Sequence, residues 1–508
     1  MIINKPACAA VISLYALLPQ GVSAQEGTDI GESDEEIIIL DDSGPGGSGD
    51  EVILVDEPVA EDEILIPASD EEVEIQDDAI VIETPEEETE TVVIDEGQPE
   101  DVATAGEDSS GVRIAVDDLR LEYSILGDSN EPADTLQFLH GAFSAEWDVR
   151  ENWEVRIAAR LDSHHQSGNP SVSDTKLDYG ETYIRYRGEQ TRVTFGAQTV
   201  LWGRIDEVPP TDRHSTSDMT RFILDDLQDR RRARPMLRVE SFRGNSKYDF
   251  VLMPTFRGAE LPDVDSIWYP IDRDNGKLLG IESSPAMTAV VSGANIDDDA
   301  PEQDGGFGFR YSRTTSDLDY ALSIQYGRQT TPYFSYDAAT TTFKAQYPRA
   351  WTLGGDLGFE AAGATWRFEA SHVDLVPSTR PDLSYTEVKG VNWAAGVEFY
   401  PGDSDTRVNL QLVGTNLYDT PTLLDRTEIY SFNGSVEMPF AQDRWRANMR
   451  FFLGLDKKDV YLNPEIAFLG WEPHELYLQL HYFDGANGTV GDFHQDHSML
   501  TLGWRAKF

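Results

Sequence analysis

The sequence is nearly without cysteine. Its 508 residues hold one, Cys8, and that one falls in a segment expected to be removed. The opening MIINKPACAAVISLYALLPQGVSAQ sets one Lys ahead of an apolar run, Ala7 to Leu18, and then offers Val22-Ser23-Ala24 as a small-x-small cleavage site. These are the parts of a secretory signal peptide, expected over residues 1–24. The exported chain then has no disulfide and no thiol for catalysis or metal binding. Long apolar runs are missing as well. After the signal, no stretch nears the ~20 residues that a membrane helix needs. The mature chain is therefore soluble, or it crosses a membrane by the other permitted route, a closed β-barrel. Basic residues are absent from one region altogether. Between Glu26 and Asp108 there are 32 Asp and Glu and no Lys or Arg, within a net charge of −52. From Gly111 onward 60 acids face 39 bases. With nothing on the acidic part to neutralise phosphates, nucleic acid is excluded as a partner.

What is present falls into two textures. Residues 25–110 form an acidic arm with short apolar runs at 35–42, 50–58, 61–67, 77–88 and 89–100, each bounded by acids, Pro or Gly. The composition is that of a disordered, self-repelling tether. The recurrence of β-branched runs also fits a set of linear motifs over 35–100, each able to add one strand to the sheet edge of a periplasmic protein. No spacing among the carboxylates specifies a calcium site.

From Val112 the chain alternates in segments of about ten residues, a length that spans a bilayer as a tilted strand. Strands are expected near 113–125, 134–147, 152–163, 176–187, 191–200, 235–243, 246–256, 306–313, 317–328, 350–360, 363–373, 386–400, 405–416, 428–440, 443–455, 458–469, 473–484 and 497–508. Connections run long, short, long, short, with the brief 456–459 as the one break in the rhythm. Tight turns at one rim and long loops at the other mark outer-membrane barrels, whereas a soluble sandwich has no reason to sort loops by parity. The expectation is an all-β, transmembrane antiparallel up-and-down barrel over 111–508, of about 18 strands with 16 as the alternative count. An even count puts both chain ends on the short-turn, periplasmic side.

Alternation assigns the faces. In 153–162, Trp153, Val155, Ile157, Ala159 and Leu161 oppose Glu154, Arg156, Arg160 and Asp162; similar patterns run through 444–453 and 474–482. The inward face is then rich in arginine: Arg156, Arg160, Arg192, Arg238, Arg367, Arg407, Arg444, Arg446, Arg450 and Arg505. Rings of such cations favour anions in a pore, while pairing with Glu154, Asp162, Glu240, Asp319 and Glu369 would leave them as filling. Two loops are long enough to be functional. Loop 201–234 carries Trp202, Asp206, Asp212, Asp225 and Asp226, and closes on Arg230, Arg231, Arg232 and Arg234. A short helix capped by Ser217 or Asp218 is expected within it. It either folds inward to narrow the lumen or makes an external lid. Loop 257–305 is acidic.

Signals for an enzyme are thin. Ser163-His164-His165 and GDFHQDHS at 491–498 bring His, Ser and Asp together in sequence, and His494 with His497, Asp492 and Asp496 has a metal-like spacing. Neither has a second element to position a partner. IDRDNG at 271–276 departs from the calcium-loop spacing. We expect no catalysis, no cofactor and no metal.

FGAQTVLWGRIDEVPPTD at 195–212, with DDLQDRRRARPMLRVESF at 225–242, resembles a broad family of Gram-negative outer-membrane barrels of unassigned function that look distantly like porins. The pattern G-x-Q-x-x-x-W-G-x-x-D lies on Gly196, Gln198, Trp202, Gly203 and Asp206, and its P-x-D turn on Pro210 and Asp212. Ala197 stands where the family usually has Arg, and HSTSDMT replaces its usual N-P-R-D-L. The resemblance implies a porin-like channel and names no substrate. The closing TLGWRAKF also resembles the signal by which such barrels are recognised by the barrel-assembly machinery, on Thr501, Gly503, Trp504 and Phe508.

Together these readings point to a barrel in the outer-membrane lipid bilayer of a Gram-negative bacterium, passing small, anionic or amphiphilic solutes. The alternative is a plugged structural or adhesion barrel whose arm docks a periplasmic partner. Deleting Phe508 is expected to lower the fraction of chain that assembles while leaving the conductance of assembled molecules unchanged. Counting folded, heat-modifiable protein beside single-channel current checks this.

Overall fold

The computed structural model describes residues 111–127, 133–206, 208–225, 229–402 and 404–508. The signal segment and the acidic arm lie outside the described residues. Eighteen strands form one closed sheet. They are β1 (Arg113–Leu126), β2 (Ala133–Arg150), β3 (Trp153–Gly168), β4 (Val172–Tyr179 and Thr182–Arg187, broken at Gly180), β5 (Thr191–Gln198) and β6 (Arg234–Arg243). Then come β7 (Ser246–Met253), β8 (Gly306–Arg313), β9 (Asp319–Arg328), β10 (Arg349–Ala361), β11 (Ala364–Thr379) and β12 (Tyr385–Phe399). The last are β13 (Arg407–Tyr418), β14 (Glu428–Phe440), β15 (Trp445–Gly454), β16 (Asp459–Trp471), β17 (His474–Gly485) and β18 (Met499–Lys507). Every strand expected from alternation is present, so the count is eighteen rather than sixteen.

Each strand pairs antiparallel with its sequence neighbour, and the ring closes where β1 meets β18, from Asp118↔Lys507 to Leu126↔Met499. Closure leaves no strand edge unpaired, the condition for backbone to stand in lipid. Both ends of the barrel reach the same rim as the tight turns at 151–152, 244–245, 362–363 and 472–473. The opposite rim carries 199–233, 254–305, 329–348 and 486–498. Four connections on that rim are short, at 127–132, 169–171, 380–384 and 455–458, so the segregation is clear for the longest loops without being complete.

The side chains follow the expected alternation. Leu121, Tyr123 and Ile125 of β1 point out and are exposed, as are Leu500 and Leu502 of β18. Aromatic pairs stand on this outer face near both rims: Trp153 with Tyr186 at 5.2 Å, Trp445 with Phe468 at 5.0 Å, and Tyr326 with Trp351 at 4.8 Å between ring centroids. Rings at such positions hold a barrel at the two lipid–water boundaries. At the closing strand, the outward His474 ring is stacked on Trp504 at 5.7 Å and met edge-on by Phe508 at 6.3 Å. The other residues of each strand point inward and, unusually for polar side chains, most of those are buried.

Gly196, the first member of the sequence pattern, explains itself here. It faces Tyr183 of β4 with φ of 136°, a backbone state essentially confined to glycine. A Cβ would also overlap the Thr182 carbonyl oxygen and the Tyr183 Cα. Gly196→Ala is expected to destabilise the barrel by ~1–3 kcal/mol, read as a shift of the denaturant midpoint in detergent.

Candidate functional site

After Gln198 the chain does not continue outward. The described residues of 199–233 turn back into the lumen, and the sequence pattern marks the tie points. Trp202, 2% exposed, donates its Nε1–H to Asp249 of β7 at 3.2 Å and meets His214 edge-on at 4.6 Å. Gly203 has φ of 126°, and a Cβ on it would lie 2.6 Å from Glu369 Oε1. That carboxylate, on the inward face of β11, accepts the backbone N–H of Arg204 and, at 2.6 Å, that of Ile205. Its second oxygen accepts the Thr211 hydroxyl at 3.1 Å and its N–H at 3.4 Å. Arg204 reaches Asp356 of β10 at 2.7 Å, and Asp206 accepts from Arg367 of β11 and Asn409 of β13, each at 2.9 Å. From β9, Gln325 donates to the Thr211 carbonyl at 2.7 Å. One short stretch is thus tied to five wall strands.

The helix expected after Ser217 or Asp218 does not form among the described residues 208–225 and 229–233. Asp218 does act as a cap, accepting the Thr220 N–H at 3.0 Å and its hydroxyl at 2.6 Å. That Asx turn leads into successive turns, and Phe222 at φ of 49° breaks any helical continuation. Met219, Phe222, Ile223 and Leu224 are all buried, so the tip lacks the wet side of an amphipathic helix. Thr216–Ser217 pairs instead with Arg231–Arg232 as a two-residue ladder.

Most of the loop's charges are matched, to the wall or within the loop. Asp225 takes Arg221 at 2.5 Å and Arg120 of β1 at 3.1 Å. Arg232 holds Asp218 and lies 3.1 Å from Asp162 of β3. Arg231 pairs with Asp212. Arg230 is buried and its carbonyl accepts the Asp218 N–H at 2.6 Å; Asp226 lies outside the described residues. Burial alone would raise the Asp218 carboxyl, but Arg232 and Arg160 outweigh it and hold it well below the usual carboxylate range. Burial also works against Asp225, where Arg221 and Arg120 prevail. Arg231 is the opposite case. Its burial, only partly offset by Asp212, draws it down to about 10.

Nine of the ten wall arginines face inward as expected, and almost all meet an acid. Arg156 pairs with Glu146, Arg160 with Asp162 at 2.8 Å, Arg192 with Glu240 at 3.7 Å, and Arg238 with Asp249 at 2.6 Å. Arg367 and Arg407 share Glu398 at 2.9 and 3.1 Å. Arg446 meets Glu475 at 3.1 Å and Arg505 meets Glu465 at 3.0 Å. Arg450 donates to the Ile223 carbonyl at the loop tip, at 2.7 Å. Arg444 corrects the assignment: it lies in the exposed turn after β14, its guanidinium 5.6 Å over the outward ring of Phe468. There, Ala441, Gln442 and Asp443 all have positive φ, which ends the strand alternation before Arg444 is reached.

Alternation did not reveal an apolar cluster inside the barrel. Ile205, Met219, Phe222, Ile223 and Leu224 of the inward loop pack with Ala259, Ile267, Trp268 and Leu279 of loop 254–305. The wall contributes Val413, Ile429, Phe452, Tyr461 and Phe483, and loop 486–498 adds Val490 and Phe493. The only sequence signal was an inward apolar or aromatic residue on each of β13 to β17, namely Val413, Ile429, Phe452, Tyr461 and Phe483, set among polar ones. His494 is fully buried among Phe222, Trp268 and Phe483, with its Nδ1 2.8 Å from that of His497. It stays neutral, because burial and then His497 push its pKa well down. The two rings face each other as a hydrogen-bonded pair. Ser163 and His165 remain on β3, far in sequence from this pair.

No family model matches the chain, and no curated protein matches it. Among solved structures it is similar to Pseudomonas aeruginosa OccK8 (OprE), with 8% identity over 78% of this chain and 98% of that one, at a TM-score of 0.46. For Acinetobacter baumannii OccAB3 the figures are 9%, 78%, 99% and 0.45. For Salmonella typhi OmpF in complex with daunomycin they are 9%, 78%, 97% and 0.40.

Replacing Glu369 by Ala orphans the N–H groups of Arg204, Ile205 and Thr211, at a cost of about 1–3 kcal/mol for each that finds no new partner. The variant is expected to keep its barrel but lose the inward loop. Trypsin should then cut after Arg213, Arg221 or Arg230–Arg232 at a rate the parent protein does not show; equal cleavage rates would rule out the anchoring role.

Proposed function

We propose that this chain is a porin-like channel of the Gram-negative outer membrane, passing small anionic or amphiphilic solutes through a lumen narrowed by residues 199–233. The observation that carries the reading is the long loop folded inside a closed eighteen-strand barrel and tied to its wall by Glu369. A loop held in this way sets the bore and the charge that a solute meets, while the barrel supplies an apolar exterior. In this reading the acidic arm hangs in the periplasm, where its motifs over 35–100 meet a protein partner. The C-terminal residues Thr501, Gly503, Trp504 and Phe508 serve recognition by the assembly machinery.

One observation favours the second reading, a barrel closed to solutes. The apolar cluster between loop tip, loop 254–305 and wall occupies lumen that a wide pore would leave wet. The two readings separate in a planar bilayer. Purified chain lacking residues 25–110 is expected to pass a steady ion current. No current in any salt would sink the channel and leave the plugged barrel. In a salt gradient the reversal potential should have the sign of anion preference, modest in size because most wall arginines already hold a carboxylate. Cation preference would contradict the proposed solute class.

A further inference from the structure

The lumen is not filled throughout. Between the inward loop and the long-loop ends of β7 to β11 lies a partly open cavity of about 70 Å³. Its charged lining is Asp212, Arg213, Arg234 and Arg328. Asp212 is held by Arg231 and accepts the Ser215 hydroxyl at 2.8 Å. Arg328 reaches Asp304 at 3.0 Å and the Tyr347 carbonyl at 2.9 Å. The other two arginines make no hydrogen bond or ion pair with a carboxylate among the described residues, although Asp212 adjoins Arg213. Arg234, 3% exposed, donates to the carbonyls of His214 at 3.3 Å and Thr255 at 3.1 Å, and its Nε has no partner. Arg213 makes no hydrogen bond or ion pair among the described residues, and its Nε is buried without a partner. Burial, opposed by Asp212, draws the Arg213 guanidinium below its ordinary value.

A cation buried without a counter-charge, as Arg234 is, is costly, and a bound anion removes that cost; the half-buried Arg213 stands beside the same cavity. The remaining lining says what sort of anion. Met253, Ala350 and Val373 present apolar surface from the inward faces of β7, β10 and β11, with Thr331, Thr352 and Gln325 as hydrogen-bonding groups. A dianion such as phosphate would lose hydration against that apolar side with nothing to replace it. A singly charged head with a short apolar end loses little. We propose that this cavity is a seat for a small amphiphilic carboxylate, its head on Arg213 and Arg234 and its apolar end against Met253, Ala350 and Val373. The proposal deepens the channel reading by naming a solute class, and it rests on that reading for passage but not for binding.

Calorimetric titration of the full chain in detergent, with butyrate and its neutral counterpart butyramide, tests it. Butyrate is expected to bind saturably while butyramide and inorganic phosphate do not. Arg213→Gln should weaken butyrate by about tenfold or more, the loss of one charge-assisted hydrogen bond, and Arg213→Lys should retain most of the affinity. Should Arg213→Gln fail to fold, Ala350→Phe fills the apolar end from the wall and should abolish binding by itself. No saturable butyrate binding, equal binding of butyramide or phosphate, or an unaltered affinity in Arg213→Gln or Ala350→Phe would each overturn the seat. Ion current measured on the same preparation keeps the two readings apart. Binding without current removes the channel and leaves the seat; current without binding does the reverse.

Discussion

The Glu369 carboxylate carries the internal architecture of this barrel. A loop that enters a lumen brings backbone donors and acceptors away from water, and each left unpaired costs about 1–3 kcal/mol. Glu369 takes the donors of the turn in which residues 199–233 change direction, from Arg204 and Ile205 on one oxygen and Thr211 on the other. Its position requires Gly203, since any Cβ there would press on the carboxylate oxygens. Once the turn is fixed, Trp202 falls on Asp249 and Asp206 on Arg367. The pattern W-G-x-x-D is therefore the record of a loop-to-wall joint.

Charge pairing extends that joint over the lumen. The inward arginines were candidates for a cationic lining, and most serve instead as partners. Arg120 of β1 meets Asp225, Arg160 of β3 meets Asp162 beside Asp218, and Arg367 of β11 meets Asp206. Buried ion pairs of this kind contribute little net stability after desolvation, but each is costly to break by halves. They hold one arrangement of the loop rather than many. Guanidinium groups that are ion-paired with no carboxylate remain at Arg234, which donates to two carbonyls, and at the half-buried Arg213, rather than around the whole wall.

The strands were legible because lipid on one side and protein on the other impose a strict period of two. All eighteen appear, and the inward and outward sets of β3, β15, β17 and β18 fall as alternation predicts. Alternation failed where the chain left the sheet. Arg444 stands in a turn of left-handed residues and lies over Phe468. The expected helix after Asp218 gave way to turns, because its apolar residues are wanted on several sides at once by three loops and the wall. The apolar lumen was missed for a related reason. An inward Phe452 or Ile429 looks like an irregularity in a single strand, and becomes a cluster only when strands from across the sheet converge.

The sequence by itself determined the barrel: about eighteen strands, its closing pair, its apolar exterior and the sorting of its longest loops. These follow from local periodicity and need no distant contact to be read. It also marked loop 201–234 through Trp202, Gly203 and Asp206, without saying what they touch. Only the tertiary structure decided that the loop lies inside, that Glu369 receives it, and which arginines remain without a carboxylate. Those outcomes depend on residues more than 150 positions apart, as Ile205 and Glu369 are at 164, meeting across a closed lumen. No period along the chain records such a meeting.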